Sequence, residues 1–159
     1  MSEFIGTVTG LEEINPYCFF VRVNSSYSST VALDQVVRVD YRWGDREFHA
    51  YGMITEVKAK WDGTISTGYQ EEAYNEGIYQ GVPIYLGKVV VTRVLEKKEE
   101  DLVPVPYSFP PPAGEKVFVA CGEELEVALG FSEIRKGKRA LPCGILPSGD
   151  VAYLDLKYI

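Results

Sequence analysis

From Val37 to Trp43 the chain alternates strictly. Val37, Val39, Tyr41 and Trp43 fall on one side, and Arg38, Asp40 and Arg42 fall on the other. A period of two marks a strand with one buried and one wet face. Gly44-Asp45 supplies a turn, and a second long strand follows from Glu47 to Lys60, interrupted at Gly52. The pair reads as a hairpin, with Gly52 as the bulge or bend by which small barrels curl. Shorter strand-like runs come before it at Phe4 to Thr9 and Tyr17 to Val23, with a polar turn or loop at Asn24 to Thr30. Others come after it at Val89 to Leu95, Lys116 to Ala120, Cys143 to Leu146 and Val151 to Ile159. One helix is expected at Glu123 to Phe131, stopped by Gly130.

Two stretches break the strand pattern. Residues 62–88 read as a long loop excursion rich in glycine and tyrosine, with a short helix at Glu71 to Asn75. Loops of this length inside a domain are uncommon and are often functional, or else serve as a lid packed by its own tyrosines. Residues 96–115 read as a proline-bearing crossover: the charged stretch Glu96 to Asp101, in which Glu99-Glu100-Asp101 reads as a solvated turn, then Pro104, Pro106 and Pro110 to Pro112 in an extended edge or polyproline segment. Strand-like sequence resumes at once, so the crossover is not a domain boundary. The expected architecture is all-β, a small antiparallel β-barrel with one or two short helices, as a single domain over residues 1–159.

Charge narrows the function classes. The net charge is −7, which works against binding a polyanion through the field of the whole domain. Three cysteines, Cys18, Cys121 and Cys143, without a CxxC pair, suggest a reducing cytoplasm rather than a disulfide framework or a zinc knuckle. No leader-like N-terminus and no apolar run of membrane-spanning length stands out, so a cytoplasmic protein without membrane attachment is expected.

Catalytic chemistry finds no foothold. The phosphate-cradling GxxxxGK[ST] loop is missing, and the glycines of residues 63–87 suit turns rather than a dinucleotide fingerprint. The single histidine, His49, lies in a strand, facing opposite Phe48, and with the three cysteines is expected to be chemically dispensable. Glu71-Glu72 and Glu123-Glu124 are adjacent pairs that share no face for a metal, and the second suits a helix start. No catalytic residue, cofactor site or metal site is expected. The sharpest local feature is Arg135, Lys136, Lys138 and Arg139, four cations around Gly137. They suit a partner or subunit contact, a phosphate or a nucleic acid, or simply a solvated hairpin turn.

Taken in order, the segments resemble the N-terminal barrel of HerA-type hexameric ATPases, the HerA–ATP synthase (HAS) barrel. Ile5-Gly6-Thr7-Val8 leads to Phe19-Phe20-Val21, then Val36 to Val39, then the glycine-led Gly52-Met53-Ile54-Thr55-Glu56-Val57. Val89 to Val94 precedes the prolines, Gly114-Glu115-Lys116-Val117 opens the last part, and Gly144-Ile145-Leu146 with Val151 to Leu156 is similar to the stretch that runs into the ATPase core. The 62–88 excursion has no counterpart in that pattern.

The resemblance implies a non-catalytic barrel excised from a longer ATPase, serving subunit assembly in a hexameric ring and docking a NurA-type nuclease. ATP, magnesium and DNA translocation would belong to the absent domain, and DNA would be met only there. Two other classes stay open: an independent ligand-binding barrel of flavin type lined by Trp43, Trp61 and the loop tyrosines, and a barrel that binds RNA or single-stranded DNA by stacking.

Overall fold

The alternating run forms the wall of a barrel. In the computed structural model, which describes residues 3–24, 26, 31–61, 83–99, 101–107, 109–146 and 149–158, strand β3 (Val36–Trp43) pairs antiparallel with β4 (Arg46–Trp61) around the Gly44-Asp45 turn. Strand β4 runs along β5 (Pro83–Lys98), and β5 along β2 (Cys18–Val23). Strand β2 pairs with β1 (Phe4–Val8), β1 with β7 (Lys116–Val119), and β7 returns to β3. The ring β1-β2-β5-β4-β3-β7 is thus closed and antiparallel throughout. Closure removes free edges from the wall. A short strand, β6 (Asp101–Pro104), is added to β5 beyond the reach of β2.

Alternation fills the interior. Val37, Val39 and Tyr41 from β3 meet Phe48, Ala50 and Ile54 from β4, Val89, Val91 and Val94 from β5, and Phe19 and Val21 from β2. Ile5, Val8 and Val117 complete this cluster. Trp43, the last residue of the alternating set, lies at the rim and is exposed, its ring stacked on Phe109 at 5.2 Å. The proline-bearing segment lies against the same core: Val105, Tyr107 and Phe109 pack on it, and the Tyr41 hydroxyl donates to the Phe109 carbonyl at 2.8 Å. The expected crossover is therefore an edge strand followed by a segment that packs on the barrel core.

A second apolar layer lies outside the barrel. Val36, Tyr51 and Leu95 from the wall meet Ala120, Leu125 and Ala128. The last two belong to helix α1 (Glu123–Leu129), which is followed by helix α2 (Phe131–Lys136). The single helix expected from the sequence is in fact two, because Gly130 sits at φ 70°, a left-handed conformation that caps one helix and starts the next. Beyond α2 a separate two-stranded sheet, β8 (Ala140–Ile145) and β9 (Val151–Asp155), ends in a 3-10 turn at Leu156–Tyr158. Helices and hairpin together form a cap on the barrel.

Two boundaries differ from the sequence reading. The excursion does not extend to residue 88: Pro83 to Lys88 belong to β5, paired with β4, and Leu86 to Lys88 also pair with β2. Its remainder, with the candidate helix at Glu71 to Asn75, lies outside the described residues. The crossover does not begin at Glu96 either. That residue sits in β5, buried, and Arg46 grips both its oxygens at 2.5 and 2.9 Å. That bidentate pair, with burial opposing it, holds the Glu96 carboxyl below the usual carboxylate range. Glu99, at φ 56°, is the described turn residue between β5 and β6.

Candidate interaction surface

The wet side of β3 is where the cap is fastened. Arg38 pairs with Glu124 of α1, and its Nε lies 3.0 Å from Asp40. Asp40 also accepts a hydrogen bond from Nδ1 of His49 at 2.6 Å, while Nε2 of the same ring lies 3.9 Å from Glu47. His49 is thus engaged on both sides by carboxylates and faces opposite Phe48, as the strand reading expects. Partial burial works against the charged form of Asp40, but the His49 hydrogen bond and the Arg38 charge outweigh it, and the carboxyl titrates below its ordinary value of 3.8.

A depressed native pKa contributes stability above the ordinary value, and that contribution is lost as pH falls through the native one. Asp40→Asn is therefore expected to lower stability at neutral pH and to flatten the acid limb. Urea titrations across the acid range test this; parallel curves for both proteins would contradict it.

The joint between the helices is pinned from the barrel. Arg93 of β5 donates to the Val127 carbonyl at 2.9 Å and pairs with Glu133 of α2, so one side chain holds the end of α1 and the start of α2. Hairpin and helices are joined by Phe131 against Tyr153, with ring centroids 5.4 Å apart, and by the Arg135 guanidinium over the Tyr153 ring at 5.6 Å.

The four nominated cations divide here. Arg135 pairs with Glu126 of α1, and Arg139 with Asp155 of β9 at 3.2 Å, so both hold the cap together. Lys136 and Lys138 are exposed and have no ion-pair partner among the described residues. The cluster is not a solvated hairpin turn. Arg135 and Lys136 end α2, and Lys138 and Arg139 lead into β8.

The far face of the hairpin is the feature that sequence reading missed. Pro142 pairs with Tyr153, whose ring meets Phe131 and Arg135 on the helix side. The neighbouring pair, Leu141 with Leu154, falls on the opposite face by alternation, and both leucines are exposed. Ile145 and Val151, a pair on the Tyr153 side of the hairpin, are exposed too, as are Leu156 and Tyr158 in the 3-10 turn that follows, Tyr158 to 81%. Scattered exposed apolar residues are ordinary, but a group confined to one short hairpin and the turn after it marks a surface built to be covered. The spacing Leu154, Leu156, Tyr158 was the available signal.

No protein-family model and no curated protein matches this chain. The reading of the surface therefore stands on its geometry.

Elsewhere the side chains do structural work. Cys121 and Cys143 are exposed thiols, and Cys18 is half-buried, its thiol pushed up by burial. Among the described residues no group of three or more His, Cys, Asp or Glu is placed to hold a metal, and no helix is long and apolar enough to cross a membrane. Trp43 stacks on Phe109 at the rim instead of lining an internal pocket, and the Trp61 side chain and the tyrosines of residues 62–82 lie outside the described residues. A cavity of about 80 Å³ beside Tyr41, Phe48 and Phe109 is smaller than the few hundred Å³ usual for a cofactor site, and a more open hollow of about 310 Å³ is lined mainly by charged residues, Asp40, Arg42, Glu47 and Glu115, rather than by the apolar walls typical of such sites.

Proposed function

We propose that this chain is a non-catalytic collar barrel of a HerA-type ATPase, serving subunit assembly and the docking of a NurA-type nuclease in the cytoplasm. In this reading ATP hydrolysis, its magnesium and DNA translocation belong to another domain of the same protein. The observation that carries it is the cap. A barrel with a packed interior fastens two helices to its outer wall through Arg38 and Arg93, the helices hold a separate hairpin through Arg135 over Tyr153, and Leu141 and Leu154 on the far face of that hairpin stay uncovered. Such an arrangement suits contact with another protein surface better than chemistry on a small molecule. The order of the strand segments supports the reading, as does the shift in β4–β5 register opposite Gly52, where β5 supplies the extra residue, Thr92.

The test uses the chain alone with a NurA-type nuclease from the same organism. Sedimentation of the mixture is expected to give a complex, and calorimetric titration of the chain with Mg-ATP is expected to give no heat of binding. Failure to bind the nuclease, or saturable micromolar binding of ATP, overturns the reading.

A further inference from the structure

Among the described residues unpaired strand edges lie on the appendages and at the ends of several wall strands, the far end of β4 among them, and these edges differ in how they are guarded. Natural sheets protect exposed edges with proline, bulges or lysine. Strand β8 has Pro142 in its middle and a bulge between Pro142 and Gly144. Strand β4 beyond Ile54 carries a bulge next to Glu56, then Lys58. Strand β9 has neither device: Val151 to Asp155 is regular and free of proline, and among the described residues it pairs only with β8. An unguarded edge flanked by exposed Leu154 and Leu156 is suited to receiving a strand.

The same chain carries a strand of matching size and opposite charge. All four residues of β6 are exposed, and β6 pairs only with β5 among the described residues; its one proline, Pro104, is its last residue, so Asp101, Leu102 and Val103 keep their backbone N–H groups. Acidic Glu99 and Asp101, both exposed, stand at its start. Lys136 and Lys138, the two cations not spent within the cap, stand just before the hairpin.

We infer that β6 of one copy adds to the β9 edge of a second copy, with Glu99 and Asp101 facing Lys136 and Lys138, so that copies join head to tail. Two different patches on one chain make the contact heterologous, and it propagates as a ring or a row. Backbone hydrogen bonds supply the attraction, and the exposed leucines and the charge match set which edges meet. The inference deepens the assembly role proposed above and rests on it only for closure into a ring; the pairing itself follows from the two edges.

The experiment is sedimentation velocity of the chain at low salt, with three proteins: wild type, Glu99→Lys/Asp101→Lys, and Lys136→Glu/Lys138→Glu. All four positions are exposed, and circular dichroism melts confirm that each variant folds. Wild type is expected to self-associate as its concentration is raised. Each variant alone, with like charges facing, is expected to associate roughly tenfold more weakly. An equimolar mixture of the two variants is expected to recover wild-type association, because one of its contacts is the wild-type pair and the other the reversed pair.

Wild type that stays monomeric at high-micromolar concentration overturns the inference, as do variants that associate like wild type or a mixture that fails to recover. If Lys136→Glu/Lys138→Glu instead abolishes retention of a single-stranded oligonucleotide while sedimentation is unchanged, the lysines serve nucleic acid and the inference falls. Neither nuclease nor ATP enters this test, so its failure is distinct from failure of the collar reading.

Discussion

Phe19→Ala is expected to destabilise the protein by about 3–5 kcal/mol, which lowers the melting midpoint by roughly 10–15 °C for a domain of this size. Phe19 is fully buried and is the largest of the fully buried side chains. It projects from β2 into the cluster shared by all six strands of the ring, and its backbone pairs with Val89. A truncated side chain leaves a cavity, and the loss depends on how far the surroundings collapse into it. A wall held by a continuous ring of hydrogen-bonded strands cannot move inward on one side without breaking register elsewhere, so little collapse is available. Chemical denaturation of wild type and variant measures the difference; a loss below about 1 kcal/mol would mean that the interior is far more plastic than its packing implies.

Gly6→Ala is the second large effect, and its origin is backbone rather than side chain. A Cβ at Gly6 would stand 2.1 Å from the carbonyl oxygen of Arg22 on the neighbouring strand. Gly6 pairs with Val23 on one side and Val117 on the other, at the point where the β1–β7 register shifts. A flexible side chain could swing away, but a carbonyl held in a ladder cannot, so β1 and β2 must part. The expected loss is about 3 kcal/mol, at the upper end for overpacking. Thermal melting of the variant checks it, and Gly10→Ala serves as control, since a Cβ there meets nothing nearer than the Ala113 Cβ at 3.6 Å. Equal melting of the two variants would refute the argument.

The barrel was legible where its physics is local. The β3–β4 hairpin announces itself through strict alternation and a two-residue turn, and Gly52 through its interruption of an otherwise apolar run. Strand β5 was cut short because Gly87 and Pro83 look like breakers when nothing shows that Gly87 packs under Ile54. Glu96 reads as part of the crossover because its partner, Arg46, is brought to it from the far end of the β3–β4 hairpin.

The candidate surface was half legible for the same reason. Four cations in five residues are visible in any reading of the sequence. That Arg135 and Arg139 are consumed by Glu126 and Asp155 is a fact of tertiary structure. The helix under them had a local trace, since Phe131 and Ile134 are three residues apart and both are buried. The open face of the hairpin could not be deduced, because a strand pattern does not say which of its two faces finds a partner.

The position of β7 has a consequence for how the molecule is made. This strand lies between β1 and β3, with Phe118 opposite Phe4 near the start of the chain. A nascent chain emerging from the ribosome can zip β3 to β4 early, because those strands are neighbours in sequence. It cannot seal the barrel until β7 has emerged, and β1 must wait with one side unsatisfied until then. Closure of so long a loop is entropically late and makes such topologies slow to fold. Strand β1 is thus completed only when β7 has been made, and the interval between them is when this chain most needs protection from its neighbours on the polysome.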